Sequence, residues 1–220
     1  MGASGTRIED ELAQKLRIVA ITAGRTRTES ASFVVERCRL LVDAGVSGVL
    51  LREPERDARE LLAIASDLHD EVTLPAGALL LVSDRVDIAL AVGADGVHLG
   101  FRSLHPADAR RVARDRLAIG FSLHDPIHEH LAAIRSSHYV TFGPVFDTPS
   151  KHGLLQPTGV ARLKEVCDSL ECPVVAVGGI DAERSALLRG SGVAGLAMIR
   201  ALWDAPEPSA VVRAMRAALE

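Results

Sequence analysis

Short apolar runs alternate with amphipathic stretches along the whole chain. The apolar runs are typical of strands and lie at residues 17–22, 48–51, 79–82, 96–99, 118–120, 139–142, 174–177 and 195–199. Segments of about ten to fifteen residues separate them, a spacing that favours βαβ units and a parallel sheet. Runs such as LLLV at 79–82 show no polar alternation, which indicates strands buried on both faces.

Eight strand and helix pairs predict an α/β fold, a single-domain (β/α)8 TIM barrel. An open doubly wound sheet is the alternative, and it needs a reversal of strand order that a sequence does not show. Pro106 and Pro126 occupy positions where a first helical turn would begin, and Asp181 is placed to cap the helix after strand seven. We assign residues 1–16 to a tail with a leading helix-like segment and 17–220 to the barrel.

Composition narrows the classes of partner. The 220 residues are 48% hydrophobic with a net charge of -4, so neither a nucleic acid nor a membrane is an expected partner. The three cysteines lack CxxC spacing, which argues against a disulfide framework or a zinc site and fits a reducing cytoplasm. We therefore expect a cytoplasmic protein that acts on a small molecule, and a homo-oligomer is compatible with this sequence.

Residues that follow the strands converge on one face of a barrel and build its active site. The stretch YVTFGPVFDTPSKHG at 139–153 starts as a buried strand and breaks into a loop that carries Thr148, Ser150 and Lys151. Two hydroxyls and an ammonium group at a strand end suit a bound phosphate. Such residues are also common on solvated surfaces, so the prediction of a phosphate site depends on the neighbouring loops.

The loops after strands seven and eight carry Gly178, Gly179, Ile199 and Arg200. Phosphate sites of TIM barrels often use these two loops, because glycines let backbone N–H groups approach the phosphate oxygens. Arg200 could add a charge-assisted contact. The alternative is that the glycines only permit a tight turn and that Arg200 faces water.

Three further strand ends carry titratable groups. His124 follows the fifth strand and is a candidate general base, whereas His98, at the end of strand four, is more typical of a hydrogen-bonded core residue. Arg52 could clamp a phosphate or carboxylate or form a structural ion pair. Asp84 could cap a helix, contact substrate or bind a metal, and its position favours the cap.

Five motifs at strand ends resemble those of the thiamine phosphate synthase and thiazole tautomerase (TenI-type) superfamily. They are LLRE at 50–53, SDRVDIALAVGADGVHLG at 83–100, IGFSLH at 119–124, YVTFGPVFDTPSK at 139–151 and VVAVGGI at 174–180. The resemblance runs from about Ile18 to Leu202. It implies a TIM barrel and thiazole phosphate chemistry in thiamine biosynthesis, with the 148–151 loop and the 178–179 glycines at the phosphate.

The synthase branch joins a pyrimidine diphosphate to a thiazole phosphate with Mg²⁺. Its pattern has glutamine, arginine and lysine after strand two, Asn-Asp after strand three and another aspartate after strand four. The positions that we align with this pattern read Leu51, Arg52, Pro54, Ser83, Asp84, Phe101, Arg102 and Ser103. Only the arginine and one aspartate match, so Mg²⁺ is expected only if the protein is a synthase, with Asp84 as its candidate ligand.

The tautomerase branch aromatises a thiazole phosphate carboxylate by moving one proton and needs no metal. The resemblance places His124 at the family's histidine, with Arg52 or Ser122 orienting the carboxylate and Arg200 in place of a serine. We therefore predict a cofactor-free thiazole tautomerase with a small phosphorylated thiazole as substrate. The alternatives are a thiamine phosphate synthase and a non-catalytic binder of a thiamine intermediate. Ala23, where the family often has an aspartate, leaves the second alternative open.

Overall fold

Eight parallel strands form a closed barrel in sequence order, and β8 pairs with β1 to close it. The structure is a computed structural model that describes residues 12–148 and 155–220. The strands are β1 Ile18–Ile21, β2 Gly48–Leu51, β3 Leu79–Ser83, β4 Gly96–Leu99, β5 Ala118–Leu123, β6 Tyr139–Phe142, β7 Val174–Val177 and β8 Gly195–Met198. The predicted TIM barrel is confirmed.

Helices lie around the outside of the barrel. They are α1 Ala31–Asp43, α2 Ala58–Leu68, α3 Leu74–Ala76, α4 Val86–Val92, α5 Pro106–Ala113, α6 Leu131–Arg135, α7 Gly159–Ser169, α8 Ala182–Ser185, α9 Arg200–Trp203 and α10 Pro208–Ala218. A π-helical segment, His69–Thr73, joins α2 to α3, and 3-10 turns cover Arg25–Arg27, Ile127–His130 and Ala186–Leu188.

Two of the three predicted helix starts are confirmed. Pro106 is the first residue of α5, and the Asp181 carboxylate accepts a hydrogen bond from the Arg184 N–H at the start of α8. Pro126 instead precedes a 3-10 turn, and the peptide bonds before Pro126 and Pro144 are cis.

Two hydrophobic clusters share the apolar residues of the strands. The inner cluster fills the barrel and contains Leu12, Leu16, Val19, Ile21, Leu50, Leu79, Leu81, Tyr139, Val175 and Ala197. The outer cluster packs the alternate strand residues, such as Leu51 and Leu80, against the helices. This double burial explains why the strands read as continuous apolar runs.

The seam between the first and last strands is held by side chains from the end of the barrel. The indole N–H of Trp203 donates to the Ile21 carbonyl oxygen at 2.8 Å. Arg37 of α1 donates to the carbonyl oxygens of Leu202, Trp203 and Ala205 at 2.8 to 2.9 Å. These contacts fix α9 and the loop that follows it. Within the described residues, no helix has the length and apolarity needed to cross a membrane.

Candidate functional site

The loops after β6, β7 and β8 lie side by side because these strands are neighbours in the barrel. Backbone hydrogen bonds join the first two loops: the Val145 N–H donates to the Val177 oxygen at 3.0 Å, and the Phe146 N–H donates to the Gly178 oxygen at 3.1 Å. We call residues 143–148, 178–179 and 199–200 the glycine side of the barrel mouth. Its shape is set mainly by backbone.

The geometry requires glycine at positions 178 and 179. Gly178 has φ of 97° and Gly179 has φ of 66°, a region that residues with a Cβ rarely adopt. A Cβ on Gly179 would lie 2.5 Å from the Asp147 carbonyl oxygen, and one on Gly178 would lie 2.5 Å from Pro144 Cβ. Thr148 is buried and follows Asp147, whose carbonyl oxygen a Cβ on Gly179 would meet.

The rest of the predicted phosphate site is placed in part. Ile199 is the residue before α9, and Arg200 is the exposed first residue of that helix, which follows β8, the strand paired with β7. Ser150 and Lys151 lie outside the described residues, so their place at the phosphate stays a prediction. The loops after β6, β7 and β8 are neighbours, as the predicted strand order requires.

His124 directly follows β5, the strand between β4 and β6. Its Nδ1 is hydrogen-bonded to the Gly143 carbonyl oxygen, and this oxygen can only accept. In the neutral imidazole the proton is therefore on Nδ1 and the lone pair on Nε2, the arrangement that a base requires.

Phe101, from the loop after β4, stacks on the imidazole of His124 with ring centroids 5.1 Å apart. Sequence reasoning gave Phe101 no role beyond a departure from the synthase pattern, because no local signal links it to a histidine 23 residues later. Asp125 is engaged elsewhere: the Arg162 guanidinium donates to both of its oxygens at 2.8 Å and lowers the pKa of that carboxyl group.

Arg52 lies at the opposite half, after β2, with an exposed side chain. Its N–H donates to Thr22 Oγ1 at 2.9 Å. The adjacent Glu53 carboxylate is buried and accepts hydrogen bonds from the N–H groups of Arg25 and Thr26 instead. Among the described residues no carboxylate lies within ion-pair distance of the Arg52 guanidinium, so the predicted alternative of a structural ion pair is not found.

Asp84 is not a helix cap, so the preferred interpretation of its position was wrong. Helix α4 begins at Val86, its N-cap residue is Arg85, and no side chain caps it. The Asp84 carboxylate accepts hydrogen bonds from Ser83 Oγ at 3.2 Å and from Ser103 Oγ, which comes from the loop after β4. These hydroxyls hold the carboxylate at the mouth. We call residues 52–54, 83–84 and 100–103 the charged side.

The register of β2 separates its last two leucines. Leu51, the position aligned with the glutamine of the synthase pattern, belongs to the outer cluster, whereas Leu50 belongs to the inner one. Because side chains alternate along a strand, Leu50 shares its face with Arg52. Leu50 is apolar and Pro54 has no charge, so the charged side has fewer polar groups than the pattern describes.

The charged side offers Mg²⁺ a single carboxylate, the smallest number that usually holds this ion in proteins. Within the described chain no three His, Cys, Asp or Glu side chains form a group able to hold a metal. Mg²⁺ is usually held by one or two carboxylates together with water and substrate phosphates. Asp84 supplies one carboxylate with two serine hydroxyls beside it, which fits a metal ion that enters bound to a diphosphate.

Ser122 lies inside β5, which runs three residues further than the sequence predicted. It is half-buried, and its Oγ lies 3.0 Å from Nε2 of His98. His98 is buried in the barrel as predicted, and burial lowers its pKa to about 4, while the nearby Asp84 acts in the opposite direction and Arg52 adds to the lowering.

Comparisons with known proteins agree with this geometry. A family model described as thiamine monophosphate synthase matches residues 18–202. A thiamine-phosphate synthase of Gloeobacter violaceus is 43% identical over 74% of this chain and 48% of its own length. A putative thiamine-phosphate synthase of Geobacter sulfurreducens is 40% identical over 80% of this chain and 82% of its own.

A solved structure gives the same result. A thiamine phosphate pyrophosphorylase from Pyrococcus furiosus superimposes with a TM-score of 0.82 and 31% identity, over 94% of this chain and 97% of that one. From the family match and these similarities, the chain belongs to the thiamine monophosphate synthase (TMP-TENI) family.

Proposed function

We propose that this protein is a thiamine phosphate synthase, which joins a pyrimidine diphosphate to a thiazole phosphate and releases pyrophosphate. The observation that carries the proposal is the 40% identity to a putative thiamine-phosphate synthase over 82% of that protein's length. The charged side also keeps the arginine and one aspartate of the synthase pattern, at Arg52 and Asp84. This proposal replaces the tautomerase as the first candidate, because the similar proteins are named as synthases.

The glycine side would bind the thiazole phosphate. Backbone N–H groups at Gly178 and Gly179 would donate to it, and Thr148 would add a hydroxyl. Arg200 would place a cation beside the same phosphate, and a charge-assisted hydrogen bond is about twice as strong as a neutral one. Ser150 and Lys151 complete this proposed site.

The charged side would bind the pyrimidine diphosphate. Arg52 would donate to its oxygens, and Asp84 would hold its Mg²⁺, with Ser83 and Ser103 fixing the carboxylate. When bound, Mg²⁺ would neutralise the charge of the leaving pyrophosphate. The reaction breaks the C–O bond to the diphosphate and joins the pyrimidine to the thiazole, so its main requirement is two anions held in adjacent sites.

A thiazole tautomerase is the second candidate, and the His124 geometry favours it. Nε2 carries the lone pair of the neutral ring, so His124 could remove and return a proton of a thiazole phosphate carboxylate. This reaction needs neither a metal nor a diphosphate. The apolar Leu50 and Pro54 and the neutral Ser103 suit it better than they suit the synthase.

Two assays on the purified protein separate these candidates. The first supplies the pyrimidine diphosphate and the thiazole phosphate and measures pyrophosphate release with and without Mg²⁺. The second supplies the thiazole carboxylate tautomer and follows its aromatisation. Release of pyrophosphate that requires Mg²⁺ supports the synthase, and aromatisation without Mg²⁺ and without the first activity replaces it with the tautomerase.

Asp84→Asn tests the assignment of the charged side, with Asp168→Asn on the exposed face of α7 as the matched control. The synthase proposal expects Asp84→Asn to lower pyrophosphate release and Asp168→Asn to leave it unchanged. Binding of thiazole phosphate without turnover in either assay would instead support a non-catalytic binder. A cytoplasmic location and a homo-oligomer stay predictions.

A further inference from the structure

A column of polar side chains lies inside the barrel, below the mouth. Nδ1 of His98 is 3.0 Å from the Tyr139 hydroxyl, and Nε2 is 3.0 Å from Ser122 Oγ and 3.4 Å from Thr141 Oγ1. The exposed fractions are 6% for His98, 1% for Tyr139 and 7% for Thr141. The rest of the inner cluster is apolar, so the column is an exception that the fold itself does not require.

The barrel is shaped to let Tyr139 reach His98. Strand register places His98 beside Gly120 and Gly120 beside Tyr139, so the glycine lies between the two rings. A Cβ at Gly120 would lie 2.2 Å from Tyr139 Cζ and 2.4 Å from its hydroxyl oxygen. The phenol ring therefore occupies the space that a side chain on β5 would fill.

The hydrogen bonds of this column determine where the protons lie. Among the described residues, the Tyr139 hydroxyl has His98 as its one hydrogen-bond partner. A buried O–H group without an acceptor is costly, so this O–H donates to Nδ1. Burial raises the pKa of the Tyr139 phenol, which keeps the proton on its oxygen.

The proton of the neutral imidazole then lies on Nε2. The Nε2–H donates to Ser122 Oγ, the nearer of its two hydroxyl neighbours. Because Ser122 accepts this hydrogen bond, its own proton is available for a group in the mouth. The opposite tautomer would leave the buried Tyr139 O–H without an acceptor.

We propose that Tyr139 and His98 are positioning residues that set the polarity of Ser122, so that its hydroxyl donates to an anionic oxygen of the substrate. The part that concerns substrate rests on the proposed function. The oxygen belongs to a diphosphate if the protein is a synthase and to a carboxylate if it is a tautomerase. In both cases the Ser122 hydroxyl favours a substrate atom that accepts a hydrogen bond and disfavours one that donates.

The tautomer can be measured without any substrate. Long-range ¹H–¹⁵N correlation spectra of histidine-labelled protein at pH 7 distinguish Nδ1–H from Nε2–H. We expect His98 to be the Nε2–H tautomer in the wild type and a mixture in Tyr139→Phe, which removes one oxygen. Thr141→Val is the matched control, and it should keep the tautomer. An Nδ1–H tautomer in the wild type would overturn the proposal, whatever the function of the protein.

A double-mutant cycle tests the link to substrate. Inorganic pyrophosphate and the thiazole phosphate carboxylate are the two probes, each measured by calorimetric titration. We expect Ser122→Ala to weaken the binding of one probe about tenfold. The probe whose binding is weakened identifies the source of the anionic oxygen. Tyr139→Phe should weaken the same probe but add nothing in the Ser122→Ala background.

The outcomes separate this inference from the proposed function. Additive effects of Tyr139→Phe and Ser122→Ala would show that the two residues act independently and would overturn it. Unchanged binding of both probes in Ser122→Ala would overturn the substrate part alone. Absence of synthase turnover together with the expected tautomer and cycle would overturn the proposed function and leave the positioning role intact.

Discussion

The two sides of the barrel mouth are built from different parts of the chain. On the glycine side, backbone atoms approach each other so closely that Gly178 and Gly179 have no room for a Cβ. On the charged side, the interacting groups belong to side chains, with Ser103 and Ser83 hydrogen-bonded to Asp84. A backbone site cannot change by small steps, whereas a side-chain site can lose one group at a time without altering the barrel. The departures at Pro54 and Ser103 from the synthase pattern lie on the charged side, where a substitution leaves the backbone of the barrel unchanged.

The largest expected effect is at His124, which contacts both sides through Phe101 and Gly143. If the protein is the thiazole tautomerase, His124→Ala should lower aromatisation of the thiazole carboxylate by about 10² to 10⁴-fold, because the base is lost. If it is the synthase, pyrophosphate release should change much less, since the proposed synthase reaction assigns no base to His124. His128→Ala, on the exposed 3-10 turn, is the control. Equal losses in both assays would mean that His124 only supports the mouth.

A Cβ on the glycine side should damage fold and site together. Gly179→Ala combines a left-handed φ with a contact of 2.5 Å to the Asp147 oxygen, and we expect it to cost about 4 kcal/mol. Gly190→Ala has a similar φ of 70° but open space around it, and should cost about 1 kcal/mol. Urea unfolding measures both, and similar losses would contradict the close approach.

Acid should destabilise the fold through His98, which lies in the barrel below the mouth. The pKa of His98 falls from 6.5 to about 4 on folding, so the unfolded chain binds a proton between these values and the folded chain does not. Stability is then lost as the pH falls, by about 3 kcal/mol from this one residue. Urea unfolding of the wild type and His98→Gln at pH 7 and pH 4 isolates the effect. The same pH dependence in both proteins would exclude it.

The smallest expected effect is a gain in Mg²⁺ affinity on the charged side. Ser103→Asp places a second carboxylate beside Asp84 and should lower the Mg²⁺ concentration for half-maximal pyrophosphate release about tenfold. Ser103→Asn has the same shape without the charge and serves as the control. If the aspartate variant needs as much Mg²⁺ as the wild type, Asp84 does not hold the metal.

The fold was predictable because both faces of every strand are buried, which leaves continuous apolar runs that a single sequence displays. The positions of His124, Thr148 and Gly178 followed from strand order. Asp84 was misread because its carboxylate is bound by Ser103, a residue of another loop that sequence spacing does not connect to it.

The sequence did not predict the polar column of His98, Tyr139, Ser122 and Thr141, for a similar reason. The sequence presents Gly120 and Tyr139 as ordinary strand residues. Only the register of three adjacent strands shows that the missing side chain of one makes room for the ring of the other. A prediction from periodicity gives the faces of strands, but it does not give which residues on neighbouring strands share a level.

The indole of Trp203 provides a direct view of barrel closure. It is the one tryptophan of the chain, and it donates to Ile21 across the seam between β8 and β1. Arg25 lies over its ring at 5.2 Å, and the side chain is 7% exposed. Its fluorescence should therefore report when the two ends of the barrel meet during refolding, without any label introduced into the protein.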